Sequence, residues 1–311
     1  MFVMLMNIIF LVAGFLFLTY GADMFIDGAS ALARRFHIPE IVIGLTVVAF
    51  GTSLSEASVS IASVLHGANG VAVGNILGSN IANIFLVLGI TAIISTLTIQ
   101  KNTVRYEIPF VGFITVLLMW MGATYGVISR IGAGVLVVLL FAFMVYLMFC
   151  ARQEIEPEQH TPNMSGIKMI LFLTVGIVAV IFSSNLIVDS SVNIARALNI
   201  SERIIGLTII AFGTSLPELV TCIVAAIKKR SDLAVGNIVG SNIINILFVL
   251  GITGLIKPIP FEPAFLIDGA VGVIAVVMLW LFVSRCCKLT RGNGIVFVLS
   301  YFAYLTYLFF N

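Results

Sequence analysis

The chain has 311 residues, of which 60% are hydrophobic and only 10% charged, and its formal net charge is +2. A soluble domain carries about 25% charged residues, so this chain lacks the polar surface of a water-soluble globule. Its mean hydropathy of +1.18 and its recurring apolar runs of about twenty residues predict a polytopic helical membrane protein. The alternating segments of a transmembrane barrel are missing from the sequence, and the small net charge gives no reason to expect nucleic acid as a partner.

Hydropathy predicts ten transmembrane helices. The first apolar run lacks the basic start and the small-residue cleavage site of a signal peptide, so we expect it to remain as the first helix. The predicted helices cover residues 2–33, 39–66, 70–96, 107–124, 129–150, 167–197, 202–227, 232–256, 264–284 and 294–310.

One stretch of the sequence occurs twice. Residues 44–56 read GLTVVAFGTSLSE and residues 206–218 read GLTIIAFGTSLPE, with 10 of 13 positions identical at an offset of 162 residues. At the same offset, residues 72–91 match residues 234–253 at 16 of 20 positions. Such a period indicates that the chain consists of two homologous halves.

The two halves are predicted to be residues 1–150 and 167–311, joined by a polar linker at 151–166. Each half would hold five spans. Because five is odd, the second half must enter the membrane from the opposite side. The predicted fold is therefore all-α, with ten transmembrane helices in two inverted-topology five-helix repeats, an architecture that places substrate near the bilayer midplane.

Lysine and arginine predict the orientation of the chain. If the N-terminus is outside, 12 of the 16 basic residues fall on the inner side. Cytoplasmic loops carry an excess of Lys and Arg, so we expect both termini outside and the 151–166 linker in the cytoplasm of a cell-membrane protein.

Each copy of the repeated stretch ends in a glutamate, Glu56 or Glu218, deep within an apolar run. A charged side chain at the bilayer centre costs roughly 3 kcal/mol or more, and such residues are functional by default. No basic residue lies at that depth in the same predicted helices, so the compensating charge is a bound cation or a proton. A protonated glutamate bonded to a neighbouring helix is the structural alternative, but it explains less well why the residue occurs twice in register.

Polar neighbours accompany both glutamates. Thr52 and Ser53 precede Glu56 by four and three residues, so the three side chains can share one helical face. Thr214 and Ser215 repeat this spacing in the second copy.

Glycine precedes the hydroxyl residues in both copies. We expect a helix break at Gly51 and Gly213. Such a break would free four carbonyl groups to face a cation, those of Ala49, Phe50, Ala211 and Phe212. Irregular backbone at this depth is tolerated where it lines a cavity or is buried in protein. Pro217 strengthens the expected break in the second copy. Close helix packing through small residues is the alternative explanation of these glycines.

A second repeated element adds hydroxyl and amide groups. Ser79 and Asn83 lie four residues apart, and Ser241 and Asn245 repeat them. These four side chains are predicted to lie near the ions. The other amides of the element are predicted to form interhelical hydrogen bonds, at Asn75, Asn80, Asn237 and Asn242.

The candidate ligands are all oxygen atoms. Hard cations prefer such a set, and Ca²⁺ takes about six to eight oxygens, often including carboxylates. Soft metals would require Cys or His, and the four cysteines lack metal-ligand spacing and are predicted to be free thiols. Two negative charges match one divalent ion or more than one monovalent ion. We therefore expect no resident cofactor, no enzymatic activity, and competition between Ca²⁺ and Na⁺.

The motifs GTSLSE and GTSLPE, with GNILGSNIAN and GNIVGSNIIN, resemble the two alpha-repeats of the cation/Ca²⁺ antiporter superfamily, most of all its prokaryotic sodium/calcium exchangers. The resemblance covers nearly the whole chain. It implies that Glu56 and Glu218 bind Ca²⁺ centrally with help from Thr52 and Thr214. It also implies flanking Na⁺ sites, and sliding of the first and sixth spans across the bundle. The Na⁺ ligands implied are Ser53, Ser79 and the Ala49 carbonyl on one side and Ser215, Ser241 and the Ala211 carbonyl on the other, with Asn83 and Asn245 in the middle.

The chain departs from the family pattern at two positions. Ser55 replaces the proline usual in the first motif, and Asn245 stands where some relatives carry Asp. Potassium-dependent exchangers resemble this chain but carry Asp at the latter position, so Asn argues weakly against K⁺ co-transport. The short linker leaves no room for the regulatory Ca²⁺-binding domains of animal exchangers.

The sequence thus predicts an electrogenic antiporter that extrudes Ca²⁺ in exchange for inward Na⁺. Its expected partners are the two ions and the lipid bilayer, with no obligatory protein partner. Buried glutamates also suit protons, so a Ca²⁺/H⁺ antiporter is the main alternative. A cation channel and a non-transporting scaffold are further alternatives.

Overall fold

The computed structural model describes residues 2–65, 69–153, 164–197 and 211–310. Seven helices in this part of the chain are long and apolar enough to cross a membrane, and eight are if a pair bent by 46° at residue 53 counts as one span. The protein is an all-helical, multi-pass membrane protein. In an apolar bilayer, helices satisfy all their backbone hydrogen bonds internally, which is why apolar runs of this length become helices.

The first half begins with a long helix, continues with a broken helix, and ends with two further long helices. Several helices contain or begin with a π-helical turn. The elements are α1 (Phe2–Phe36); α2 (Glu40–Ile43), a π-turn at Gly44–Val48, α3 (Ala49–Thr52) and α4 (Leu54–Leu65); α5 (Asn69–Ala82), a π-turn at Asn83–Leu88 and α6 (Gly89–Ile94); strand β1 (Leu97–Thr98); a π-turn at Thr103–Glu107 and α7 (Ile108–Tyr125); strand β2 (Val127–Ile128); and α8 (Arg130–Gln153).

The second half repeats this order as far as it is described. Residues 198–210, which include the start of the second motif, lie outside the described residues, as do residues 154–163 of the expected linker. The elements are α9 (Gly166–Ala197); α10 (Ala211–Thr214) and α11 (Leu216–Ile227); α12 (Ser231–Ile244), a π-turn at Asn245–Leu250 and α13 (Gly251–Ile256); strand β3 (Ile259–Pro260); α14 (Phe265–Val283); strand β4 (Lys288–Leu289); and α15 (Arg291–Phe310).

The offset of 162 residues relates matching structural elements as well as matching residues in the sequence. It carries the break between α3 and α4 onto the break between α10 and α11, and the π-turn at Asn83–Leu88 onto that at Asn245–Leu250. Equal sequences have therefore adopted equal local structures, including their irregularities.

Two helices form the centre of the molecule. In the stretches Val71–Ile94 and Ser231–Ile256, 83% of the most apolar window is buried, against 22% to 39% in the other long spans. Small residues in these helices allow neighbouring elements to approach closely and bury them. At Gly240 of α12, for example, an added Cβ would lie 2.6 Å from the carbonyl oxygen of Leu45 in the π-turn of the first half.

Helices α1 and α9 pack against each other along their length. Glycines line the contact. A Cβ added at Gly14 would lie 2.7 Å from Ile187, one at Gly21 would lie 2.8 Å from Ala179, and one at Gly28 would lie 2.9 Å from the backbone of Leu173. Close backbone approach through small residues is a common way for helices to associate in lipid, where apolar burial gives no driving force.

Short antiparallel strands join the two halves. Strand β1 pairs with β4, and β2 pairs with β3, so each ladder takes one strand from each half. The offset of 162 residues carries β1 onto β3. The pairings are therefore exchanged between the halves, as an approximate two-fold relation requires.

A candidate cation site at two helix breaks

The helix of each repeated motif breaks at a serine. Ser53 has φ −73° and ψ 3°, and Ser215 has φ −91° and ψ 4°, so the backbone leaves the helical region between a short helix and its successor. The break was expected at Gly51 and Gly213, and this expectation was wrong by two residues. Both glycines remain inside helices, where they serve packing: a Cβ on Gly51 would lie 2.9 Å from the Phe25 ring of α1.

The expected free carbonyl at Ala49 is also corrected. Its oxygen accepts a hydrogen bond from the Ser53 amide at 3.0 Å, and the Thr52 hydroxyl lies 3.3 Å away. A carbonyl oxygen has two lone pairs, but this one is already engaged by the helix. Ala211 begins α10, at the edge of the described residues.

Glu56 and Glu218 lie in the first turns of the helices that follow the breaks, α4 and α11. Both are fully buried, with 0% exposure. Helix N-termini favour negative charge, which offsets part of the cost of burial. Glu56 Oε1 and both carboxylate oxygens of Glu218 accept no hydrogen bond from the described part of the chain. The two carboxylates are close enough for their charges to interact.

The serines at the breaks are buried beside the glutamates. Neither the Ser53 nor the Ser215 hydroxyl has a hydrogen-bond partner among the described residues. Thr52 and Ser53 lie near the Glu218 carboxylate, on the opposite half of the molecule. The two motifs therefore lie close to one another, and the Ser55 hydroxyl lies 3.5 Å from the Thr214 carbonyl.

Thr52 is held from the second half. Its hydroxyl donates to Asn237 Oδ1 at 3.0 Å and lies 3.3 Å from Ser241 Oγ. Thr214, the matching residue, is half-buried, and its carbonyl lies 3.5 Å from Ser55 Oγ. The sequence assigned Asn237 only to interhelical bonding, and its contact with Thr52 shows that this bonding positions a candidate ligand.

Four asparagines form a reciprocal network at the centre. The side chains of Asn80 and Asn242 each donate to the other's backbone carbonyl, at 3.1 and 3.3 Å. Asn83 donates to Asn242 Oδ1 and Asn245 donates to Asn80 Oδ1, both at 3.0 Å. The interhelical role expected for Asn80 and Asn242 is confirmed. The carbonyl oxygens of Asn83 and Asn245 are buried and accept no bond from the described residues.

The remaining predicted residues, Ser79 and Ser241, are both buried in the two central helices. Cys222 is buried as well. Its thiol lies 3.4 Å from the Ala234 carbonyl and accepts from Asn237 at 3.3 Å, and it is a free thiol as expected.

The buried oxygens without partners point to a ligand. Leaving a polar atom buried and unbonded costs about 1–3 kcal/mol, and more for a charged one. The unbonded atoms here are carboxylate, hydroxyl and amide oxygens, the donor set that hard cations prefer. No cluster of three or more His, Cys, Asp or Glu occurs within the described ranges. A cation at this place would therefore be bound by two carboxylates and neutral oxygens.

Ser55 makes a contact with Glu56 that the sequence did not predict. Its hydroxyl oxygen lies 2.9 Å from Glu56 Oε2 and 2.9 Å from the Thr52 carbonyl. The departure from proline was visible in the sequence, but the hydrogen bond depends on the backbone turn at Ser53.

A group of ion pairs lies at one end of the molecule, outside this site. Lys228, the residue that follows α11, contacts Asp27 at 2.6 Å and Asp23 at 2.8 Å, both on α1. Arg230 contacts Glu40 at 3.1 Å. The ion pairs of Lys228 connect α1 to the segment that follows α11.

Comparison with known proteins gives consistent matches over the whole chain. A family model described as sodium/calcium exchanger protein matches residues 6–151 and 168–310. Inner membrane protein YrbG of Escherichia coli is 36% identical over 324 residues, covering 98% of each chain. Sodium/calcium exchanger MaX1 of Methanosarcina acetivorans is 30% identical over 345 residues, covering 98% of this chain and 99% of the relative. The structure of the sodium-calcium exchanger NCX_Mj soaked with 10 mM Na⁺ and 10 mM Sr²⁺ is similar, with a TM-score of 0.86, 33% identity, and coverage of 97% of this chain and 98% of that one.

Proposed function

This chain belongs to the sodium/calcium exchanger protein family, and from that membership we propose that it exchanges Na⁺ for Ca²⁺ across the cell membrane by alternating access. The resemblance noted in the sequence is thereby confirmed at the level of the family. The observation that carries the proposal is the pair of fully buried glutamates whose oxygens lack partners in the described part of the chain.

We assign the central ligands to Glu56 and Glu218, assisted by Thr52 and Thr214. The two carboxylates carry the charge needed to neutralise one divalent ion or two monovalent ions. Ca²⁺ and Na⁺ would therefore compete for the same carboxylates. The assigned Na⁺ ligands are Ser53, Ser79 and the Ala49 carbonyl on one side and Ser215, Ser241 and the Ala211 carbonyl on the other, with Asn83 and Asn245 between them. The engaged Ala49 carbonyl would contribute only its second lone pair.

The proposed architecture is ten transmembrane helices in two inverted repeats, residues 1–150 and 167–311, with the linker 151–166 in the cytoplasm and both termini outside. The exchanged strand pairings and the reciprocal asparagine bonds support a two-fold relation between the halves. The excess of basic residues on one side supports the orientation.

Helices α1 and α9 cover the site at its breaks. Gly51 packs against Phe25 of α1 and Ile177 of α9, and Gly213 packs against Val188 of α9. A site without cations would present two negative charges to these apolar surfaces, at a high cost in free energy. Movement of α1 and α9 across the site would therefore require bound cations, which makes the exchange obligatory.

A gradient experiment tests the proposal. Purified protein in liposomes loaded with Na⁺ and diluted into Na⁺-free medium should accumulate radioactive Ca²⁺, and liposomes without the Na⁺ gradient should not. Uptake that ignores Na⁺ and follows a pH gradient would instead support the Ca²⁺/H⁺ antiporter. Single-channel currents with no requirement for a counter-ion would support a channel.

A further inference from the structure

We propose that Ser55 makes Glu56 and Glu218 unequal Ca²⁺ ligands, so that Glu56 binds the ion through one oxygen and Glu218 through both. The inference rests on the proposed function and names a positioning residue for it. Ser55 acts through Glu56 and is not itself assigned as a ligand.

The two carboxylates have different surroundings at matching positions. The Ser55 hydroxyl lies 2.9 Å from Glu56 Oε2, and Glu56 Oε1 has no partner among the described residues. At the equivalent place in the second half stands Pro217, which has no hydroxyl, and neither oxygen of Glu218 accepts a bond there. The Thr52 and Ser53 hydroxyls also lie near the Glu218 carboxylate, but neither has the geometry of a hydrogen bond to it. The bonded hydroxyl of Ser55 is therefore what distinguishes Glu56 from Glu218.

A hydrogen bond to an ionised oxygen is strong and directional. The Ser55 hydroxyl withdraws charge from Oε2 and holds the plane of the carboxylate, which leaves Oε1 as the oxygen that Glu56 offers. The Glu218 carboxylate lacks this restraint, and both of its oxygens are free to contact one ion. Ca²⁺ accepts carboxylates in either mode.

The hydroxyl has an alternative acceptor, which allows the bond to respond to the ion. The Thr52 carbonyl lies at the same 2.9 Å distance, and the Thr214 carbonyl lies at 3.5 Å. A hydroxyl donates only one hydrogen. A negatively charged carboxylate is the stronger acceptor, so the bond to Glu56 is the one formed when that glutamate is ionised.

Removal of the hydroxyl is compatible with the fold. Ser55 is the second residue of α4, where the amide has no partner within the helix, so proline is accepted. Pro217 occupies the same place in α11. The variant Ser55→Pro makes residues 51–56 identical to residues 213–218, and Ser55→Ala removes the hydroxyl without changing the backbone.

Infrared difference spectroscopy tests the inference directly, because the splitting of the two carboxylate stretching bands distinguishes one-oxygen from two-oxygen ligation. The spectrum of the protein with Ca²⁺ minus that without cations should contain both kinds of band. In Ser55→Ala and Ser55→Pro the one-oxygen band should shift to the two-oxygen position, and Ser55→Thr, which keeps the hydroxyl, should retain it. Ser58→Ala is the matched control, since the Ser58 hydroxyl bonds to its own helix at an exposed position of α4.

Transport gives a second readout. Half-saturating Ca²⁺ should fall by about three- to tenfold in Ser55→Ala and Ser55→Pro, the range that one hydrogen bond is worth, while half-saturating Na⁺ changes less. A one-oxygen band that survives in both variants, or a half-saturating Ca²⁺ that does not fall, overturns the inference. Absence of any carboxylate band change on adding Ca²⁺ would instead count against the proposed function itself.

Discussion

Glu56 and Glu218 are the residues whose burial most needs an explanation. Both are fully buried, and three of their four carboxylate oxygens find no donor in the parts of the chain that the structure describes. Their positions in the first turns of α4 and α11 lower the cost of the charge without removing it. In the proposed function a bound cation supplies the remainder, so these side chains would be costly for the empty protein and useful to the loaded one.

Neutralising either glutamate should separate transport from stability. We expect Glu56→Gln and Glu218→Gln each to abolish Na⁺-dependent Ca²⁺ uptake, because each removes half of the negative charge of the site. The melting temperature of the cation-free protein should stay the same or rise, since an amide is cheaper to bury than a carboxylate.

The exposed Glu262 provides the control, and Glu262→Gln should transport normally. Retained uptake in Glu56→Gln or Glu218→Gln would favour the scaffold hypothesis. A collapse in stability would show that the carboxylates have structural roles.

At this scale the sequence predicted the burial of the two glutamates better than it predicted side-chain contacts. Charged residues in apolar runs can be recognised from sequence because their burial has so few explanations. The bond from Thr52 to Asn237 and the bond from Ser55 to Glu56 could not be recognised. The first depends on how the halves meet, and the second depends on a backbone turn and a side-chain rotamer.

Among the elements, the broken helices decide the shape of the site. The break at Ser53 bends the helix by 46°, with the Ser53 hydroxyl at the bend and Glu56 in the first turn after it. Sequence reasoning placed the break at Gly51 because glycine weakens helices. The structure uses this glycine to bring α3 close to α1 and α9, so packing prevailed over propensity.

Adding a methyl group at Gly51 tests this packing. We expect Gly51→Ala to lose about 1–3 kcal/mol of stability, because its Cβ would lie 2.9 Å from Phe25 and 3.1 Å from Ile177. Since these neighbours belong to the helices that cover the site, the initial rate of Ca²⁺ uptake should fall as well.

Gly134→Ala in α8 is the control, because no atom lies within 4 Å of the added Cβ. Thermal unfolding and initial uptake rates measure both effects. Equal behaviour of the two variants would contradict the packing role of Gly51.

The extent of the helices was predictable, whereas their irregular turns were not. The expected first helix at 2–33 is observed at Phe2–Phe36, and the expected ninth at 264–284 is observed at Phe265–Val283. Apolar length determines these limits. The π-turns, such as Asn83–Leu88, change the pairing of the backbone within an apolar run without changing its composition.

For the whole molecule, the hydrogen bonds of the central asparagines are reciprocal between the two halves of the sequence, as the proposed two-fold relation requires. The ion pairs of Lys228 with Asp23 and Asp27 connect α1 to α11 at one end. At the offset of 162 residues, the counterpart of Lys228 is His66, which lies outside the described residues. The sequence revealed the repeat through identical residues, but it could not show which charged residues of the two halves form ion pairs.

Removing the charge of Lys228 should shift the balance between conformations. In the proposed orientation these ion pairs hold α1 closed on the cytoplasmic side. We expect Lys228→Gln to lower half-saturating cytoplasmic Ca²⁺ by about two- to fivefold, because partly exposed ion pairs are worth up to about 1 kcal/mol and a more populated open state binds with higher apparent affinity.

Uptake into inside-out vesicles measures this change. Lys229→Gln is the matched control, since no described residue forms an ion pair with the exposed Lys229. An unchanged half-saturation in Lys228→Gln, or an equal change in both variants, would contradict the prediction.

The exchanged strands also determine the order in which the protein can be completed during synthesis. Leu97–Thr98 pairs with Lys288–Leu289, and Val127–Ile128 pairs with Ile259–Pro260. The first half therefore leaves the ribosome with both of its strands unpaired, and the earlier one, Leu97–Thr98, finds its partner only when the final helix is about to be made. Asn80 likewise lacks its hydrogen-bond partners until Asn242 and Asn245 have been made. The N-terminal half lacks these hydrogen-bond partners until the C-terminal half has been made. A chain truncated after the first half would therefore expose unpaired polar groups to lipid.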